Sequence, residues 1–332
     1  MHTHERTSRR EFLRDAMAVA VVGATSARSR AEPQATAKKS KWPIACRDSI
    51  LRHAGEPNMW SAMRAMGVNG AEVTVRPDGS LPHVGPKGTV HSIAGPDGVK
   101  RLGEEVHRHK RHIAAFCTLN RYDEHREQEV ALTIKAARAA AKIGVPVVRI
   151  DLVPSKIKDT DEFVRFSIEV GKELVSATRD LPVRFGVENH GGTTNRPEFL
   201  RKVFNDIGTK RFGLTLDVGN FYWFGHPLSK CYDIYAEFAP WACHFHAKSI
   251  HYPEADRERQ RTPGWKYREC RCPIYEGDID YQRVAAILHR SNYRGALCID
   301  DESIGTFPKP QRREVLKKDA DFLRRIARPG RF

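Results

Sequence analysis

Eight short apolar runs recur along this chain, and the stretches between them carry helical periodicity. The runs cover residues 44–46, 70–75, 112–119, 147–152, 184–189, 213–217, 242–248 and 296–300. The clearest amphipathic stretches cover 124–143, 162–178, 197–207, 281–289 and 312–326. Strands that alternate with helices imply parallel pairing with crossover helices. Eight such units in one chain point to a closed α/β barrel, the single-domain (β/α)8 TIM barrel, over an open doubly wound sheet. No Gly-x-Gly-x-x-Gly follows the first run, which also counts against a dinucleotide fold. The expected barrel spans 42–332.

The first 41 residues read differently. Ser8-Arg9-Arg10-Glu11-Phe12-Leu13 precedes a mild apolar run, and Ser29-Arg30-Ala31 is a small-residue cleavage site. This order resembles a bacterial twin-arginine signal peptide, residues 1–31, with a linker over 32–41. It implies export to the periplasm or beyond. The twin-arginine route carries folded proteins, which suits an enzyme loaded with metal before export. The apolar run is too short to span a bilayer, and nothing later approaches the roughly 20 residues required.

The formal charge is +15. Six Arg and three acids lie in residues 1–31, so about +12 remains beyond them. A basic balance is compatible with nucleic acid. The basic residues are scattered without an aromatic-rich cluster, so a solvated basic surface is the simpler reading and no nucleic-acid partner is expected. Seven cysteines is an odd number. Cys46, Cys117, Cys243 and Cys298 lie in apolar runs and read as small buried hydrophobes. Cys270 and Cys272 are too close for an easy mutual disulfide, and two thiols alone are a weak metal signal. Other disulfides and self-association stay open.

Four of the runs end alike. The fifth ends Val187-Glu188-Asn189-His190-Gly191, and the sixth ends Leu216-Asp217-Val218-Gly219-Asn220. The seventh reads His244-Phe245-His246-Ala247-Lys248, and the eighth ends Ile299-Asp300-Asp301-Glu302. Carboxylates buried at one barrel mouth repel each other, and a divalent cation removes that conflict. Side-chain alternation places His244, His246 and Lys248 on one face, with His246 nearer the mouth than His244. Cys243, Phe245 and Ala247 then face the helices. Lys248 is expected at the rim, as a substrate contact or a solvated lysine. Residues 76–97 and 249–279 are long connections after strands, so both should overlie the mouth as lids or walls.

These motifs, with Glu276-Gly277-Asp278-Ile279-Asp280 before a helix, resemble the xylose isomerase-like barrels in order and spacing. Within them the chain is most similar to the sugar phosphate isomerase/epimerase group that includes ketose 3-epimerases. The resemblance implies one divalent metal ion held by Glu188, Asp217, His246 and Asp300. Mn is the first expectation, with Mg, Co or Zn open. Relatives usually carry Glu at the last position, so Glu302 rivals the shorter Asp300. The family implies proton transfer beside a carbonyl through an enediolate, with Glu188 and Asp300 as the catalytic carboxylates. A small-molecule carbohydrate is the implied substrate. His190, Asn220, Lys248, Glu72 and Arg149 are candidate substrate contacts, as is Trp223, though Arg149 and Glu72 could simply pair inside the barrel. Isomerase, epimerase, lyase or dehydratase, and hydrolase all remain open, as does a non-catalytic sugar-binding protein. The DNA-repair branch of this superfamily needs ligand histidines on strands two and three, which end Glu72-Val73-Thr74-Val75 and Phe116-Cys117-Thr118-Leu119.

Overall fold

The computed structural model describes residues 42–328, so the expected signal (1–31) and linker (32–41) lie outside the described residues. The eight expected strands form β1 (Ile44–Arg47), β2 (Gly70–Val75), β3 (His112–Thr118), β4 (Val147–Ile150), β5 (Arg184–Glu188), β6 (Phe212–Asp217), β7 (Ala242–Ala247) and β8 (Leu297–Ile299). They close in chain order, with β1 hydrogen-bonded to both β2 and β8, and every barrel pair is parallel. This is a single (β/α)8 TIM barrel.

A long helix follows each strand: α1 (Met59–Met66), α2 (Pro96–His109), α3 (Arg126–Ile143), α4 (Thr160–Ala177), α5 (Pro197–Ile207), α6 (Leu228–Phe238), α7 (Tyr281–Arg290) and α8 (Lys309–Ile326). The ends are set locally. Asn58 and Ser61 form a reciprocal capping box at α1, Asp159 caps α4 through Glu162 N, and Asp280 caps α7. The sequence reading passed over α1, α2 and α6. On the helix-facing side of β7, Phe245 is fully buried in the same apolar cluster as Tyr281, Val284 and Leu288, as alternation requires.

Both long connections have structure of their own. In the first, Ser80–Leu81 pairs antiparallel with His91–Ser92. In the second, Ser249–Ile250 pairs antiparallel with Arg271–Cys272. All seven cysteines are free, and no disulfide forms among the described residues. No described helix is long and apolar enough to cross a membrane.

The returning arm of the second connection is pinned to α8, where Asp319 Oδ1 accepts Ile274 N at 2.8 Å. Asp319 is fully buried. Burial and the neighbouring Asp301 carboxyl push its pKa well above the ordinary carboxylate value. A raised folded-state pKa gives stability that is complete below the unfolded value and is lost as pH rises through the folded value. Asp319→Asn keeps the Ile274 contact and removes that ionisation. The variant should therefore lose less stability than the parent between pH 5 and 8. Thermal unfolding across this range checks it, and parallel curves for both proteins would refute it.

Candidate metal centre

The parallel barrel sends the ends of β5, β6, β7 and β8 to one rim. Asp217 lies beside His246 in the β6–β7 register, and Cys298 lies beside His246 in the β7–β8 register. Asp300 N donates to Ala247 O at 2.9 Å, fixing the residue just beyond β8. Glu188, Asp217, His246 and Asp300 are all buried, and one ligand-capable atom from each lies within 4.8 Å of the others. The sequence-expected quartet is thus assembled in space.

His246 is the hub. Its Nε2 lies 2.6 Å from Glu72 Oε2. Its Nδ1 lies 3.0 Å from Glu188 Oε1, 3.6 Å from Asp300 Oδ2 and 3.8 Å from Asp217 Oδ2. Both ring nitrogens lie within hydrogen-bond distance of a carboxylate; with a cation bound, Nδ1 would be the ligand while Nε2–H donates to Glu72. The Nδ1 edge of the ring faces three carboxylates. Asp217 Oδ2 and Asp300 Oδ2 are buried without a well-formed hydrogen bond, facing the Lys248 ammonium at 3.2 and 3.5 Å. A divalent cation fits this donor set, since mixed carboxylate and imidazole ligands suit Mn, Mg, Co or Zn.

Three fixed cations surround the quartet. Arg47 bridges Glu72 at 3.2 Å and Asp300 at 2.9 Å. Arg149 pairs with Asp151 at 3.1 Å and contacts Glu188. Lys248 Nζ lies 2.7 Å from Glu302, 3.2 Å from Asp217 and 3.5 Å from Asp300. Burial raises the Asp300 carboxyl, but Arg47, Lys248 and His246 outweigh it and hold the group below its ordinary value. For Asp217 burial prevails over Lys248, with Asp300 adding to the rise, and the group is raised. Burial also opposes ionisation of Glu72, yet His246, His244 and Arg47 keep it well below the usual range.

Local sequence explains the precision. Asn189 ties β5 to β6, accepting from Asp217 N and donating to Asp217 O, both at 2.8 Å. Asp217 caps the short helix Val218–Trp223 through Asn220 N at 2.9 Å. A Cβ on Gly219 would meet the Lys248 stem at 2.7 Å, so glycine is what lets Lys248 reach the centre.

The other expected residues fall into place with corrections. Asp300, not Glu302, joins the quartet; Glu302 instead accepts from Lys248 and from Tyr267 Oη at 2.6 Å. Lys248 was expected at the rim but is buried at 3% exposure, because carboxylates draw its ammonium inward. Asn220 donates to Glu188 at 3.3 Å and accepts from Lys248 at 3.0 Å. Glu72 and Arg149 do not pair with each other: Glu72 holds Arg47, His244 and His246, and Arg149 holds Asp151 and Glu188. His190 is exposed, its Nδ1 3.3 Å from Asp151. Trp223 is half-buried and its carbonyl accepts Gly264 N from the second long connection. Cys270 and Cys272 belong to none of the metal-capable groups.

Arg47, Asp151 and Tyr267 were missed. Asp151 carried the same signal as the chosen acids, a carboxylate closing an apolar run, and Arg47 directly follows the first run. Tyr267 sits within a loop and carried no signal.

The family model of the xylose isomerase-like TIM barrel matches residues 60–326. The chain belongs to the xylose isomerase-like TIM barrel family. An uncharacterized protein of Methanocaldococcus jannaschii is 26% identical over 155 residues, 46% of this chain and 47% of that protein. The match thus spans about half the length of that curated relative. Solved structures share the fold at low identity. A xylose isomerase-like TIM barrel protein from Mycobacterium smegmatis in complex with magnesium is 14% identical with a TM-score of 0.62, covering 86% of this chain and 96% of that one. A sugar phosphate isomerase/epimerase from Parabacteroides distasonis is 15% identical with a TM-score of 0.60, covering 93% and 99%. Mannonate dehydratase from Streptococcus suis is 12% identical with a TM-score of 0.63, covering 87% and 94%.

The Glu72–His246 contact generates a test. A carboxylate that fixes a ligand imidazole typically changes metal affinity about 10–100-fold when removed. Glu72→Gln should weaken Mn(II) binding by that factor while circular dichroism stays unchanged. Titration calorimetry on the apo-protein measures it, and equal affinity in both proteins would remove this role from Glu72.

Proposed function

We propose that this protein is a divalent-metal-dependent isomerase or epimerase of a sugar, keto-sugar or cyclitol. The observation that carries the reading is the buried quartet itself, Glu188, Asp217, His246 and Asp300, with one ligand-capable atom of each within 4.8 Å of the others. Glu188, Asp217, His246 and Asp300 would hold the ion, with Mn as first choice. When bound, it would supply Lewis-acid polarisation of a carbonyl and its neighbouring hydroxyl.

The chain's own groups account for proton movement. Glu188 and Asp300 reach the centre from different strands and would flank a substrate carbon. One carboxylate takes the proton beside the carbonyl and the other returns it. Return to the opposite face of the same carbon gives epimerisation, and return to the adjacent carbon gives isomerisation. Arg47, Lys248 and His246 keep Asp300 ionised, the form that can hold a cation or accept a proton. Lys248 and Asn220, joined to each other and to the carboxylates, orient the polar groups around the reacting carbon. His190, exposed at the mouth, is placed to meet a substrate hydroxyl. If the substrate bears a leaving group β to the carbanion, the same proton abstraction leads to elimination. The fold shared with a mannonate dehydratase makes that lyase outcome the second reading.

Glu188→Gln and Asp300→Asn should each lower kcat by at least about 100-fold, the usual contribution of a general base. The screen uses Mn-loaded protein and a panel of keto-sugars in deuterated water, with solvent deuterium entering the exchanged C–H bond. Substantial turnover in either variant, or full activity after chelation by EDTA, would falsify the two-carboxylate metal reading.

We also propose export by the twin-arginine route, on the strength of Arg9-Arg10 before Phe12-Leu13. Replacing both arginines with lysine should retain the protein in the cytoplasm of the producing bacterium, as cell fractionation reads directly.

A further inference from the structure

A cavity of about 650 Å³ opens where the segment after β1 and the connection after β2 face each other. It does not include the metal-capable quartet. Asp48 contributes to its wall, directly after Arg47, which reaches Asp300. The volume is that of a small-molecule site.

Its charges are unevenly committed. Each lining acid is held by a neighbour. Asp48 takes Thr74 N and Oγ1 at 2.9 and 2.8 Å, Glu56 pairs with Arg313 at 2.7 Å, and Asp78 accepts Ser80 N at 2.9 Å. The lining cations Arg52, Arg76 and Lys87 make no side-chain hydrogen bond or ion pair among the described residues. The lining His91 is likewise spent on Glu105 at 3.0 Å. His83 shows that the arginines converge. Burial lowers its imidazole, and Arg52 and Arg76 both lower it further against the pull of Asp48. Like charges gathered around one concave surface repel, and an entering anion relieves that repulsion. Apolar Met59, Leu81 and Val90 complete the lining, with Val90 79% exposed.

We propose that this cavity binds an oxyanion, a carboxylate or a phosphate ester, carried on the substrate away from its reacting carbons. Arg52, Arg76 and Lys87 supply the charge, and the wall residue Asp48 directly follows Arg47, whose guanidinium reaches Asp300 at 2.9 Å. The inference rests on the carbohydrate reading, which supplies the substrate, its reacting carbons and the sugar probes.

The test compares Mn-loaded protein with the triple variant R52Q/R76Q/K87Q, using D-glucose, D-glucuronate, D-glucose 6-phosphate and inorganic phosphate in titration calorimetry. All three positions are exposed, so the variant should keep its Tm and Mn stoichiometry. At least one anionic sugar should bind about tenfold or more tightly than glucose, and the triple variant should abolish most of that preference. Preference for glucuronate identifies a carboxylate, and preference for glucose 6-phosphate identifies a phosphate ester. Raising NaCl from 50 to 300 mM should erode the preference. Equal binding of all sugars, or a preference that survives the triple substitution, overturns the proposal. Failure of the metal reading would appear separately, as protein without Mn whose binding of inorganic phosphate still depends on the three cations.

Discussion

Unbalanced negative charge at the barrel mouth is the constraint on which the rest of the structure depends. Glu72, Asp151, Glu188, Asp217, Asp300 and Glu302 gather there against Arg47, Arg149 and Lys248. Moving a carboxylate out of water costs several kcal/mol unless partners replace the lost hydration. The three cations satisfy much of this demand, and their geometry shows where it remains unmet. Arg47 and Arg149 each bridge two acids, and Lys248 reaches three. The demand is least met at Asp217 Oδ2 and Asp300 Oδ2, which meet the Lys248 ammonium at 3.2 and 3.5 Å without a well-formed hydrogen bond.

The β7 strand organises this charge in tiers. His244, His246 and Lys248 alternate onto the barrel interior. His244 rests on Glu72 at 2.9 Å, His246 joins Glu72 to the quartet, and Lys248 links the quartet to Glu302. One carboxylate oxygen, Glu72 Oε2, therefore orients two imidazoles. Glu302 passes the connection outward to Tyr267 on the long segment after β7. A loop residue and a deep barrel histidine thus belong to one continuous polar chain.

The parts legible from sequence are those governed by strand periodicity. Apolar runs located all eight strands, the polar residues at their ends marked the candidates, alternation favoured His246 over His244, and the family resemblance singled out Glu188, Asp217, His246 and Asp300. Partner choice was not legible. Strand alternation says that Glu72 and Arg149 point inward, but only the barrel's closure decides that Glu72 meets Arg47 across the β1–β2 pair and Arg149 meets Glu188 across β4–β5. Lys248 illustrates the same gap. Its position on the strand predicted a rim side chain, while its long flexible stem turned inward to three acids over the bare Gly219 backbone. The α1, α2 and α6 helices were not among the clearest stretches: α1 and α6 are short, and α2 buries only Val99 and Leu102.

The division between strand and loop also explains why the family is plain while the substrate is not. A metal-capable quartet built at the ends of β5 to β8 inherits its geometry from hydrogen-bonded register, which tolerates wide sequence change elsewhere. That is how a chain 12–15% identical to its structural neighbours keeps the barrel. The walls around the centre follow no such register. They come from two connections whose hairpins are two residues wide on each arm. Charge placed on such segments costs the barrel little, so Arg76 and Lys87 can remain uncommitted, as can Arg52 in the segment after β1, in a structure that spends its buried charges closely. Selectivity among carbohydrates is therefore expected to reside in these connections, with the strand ends supplying the proton chemistry.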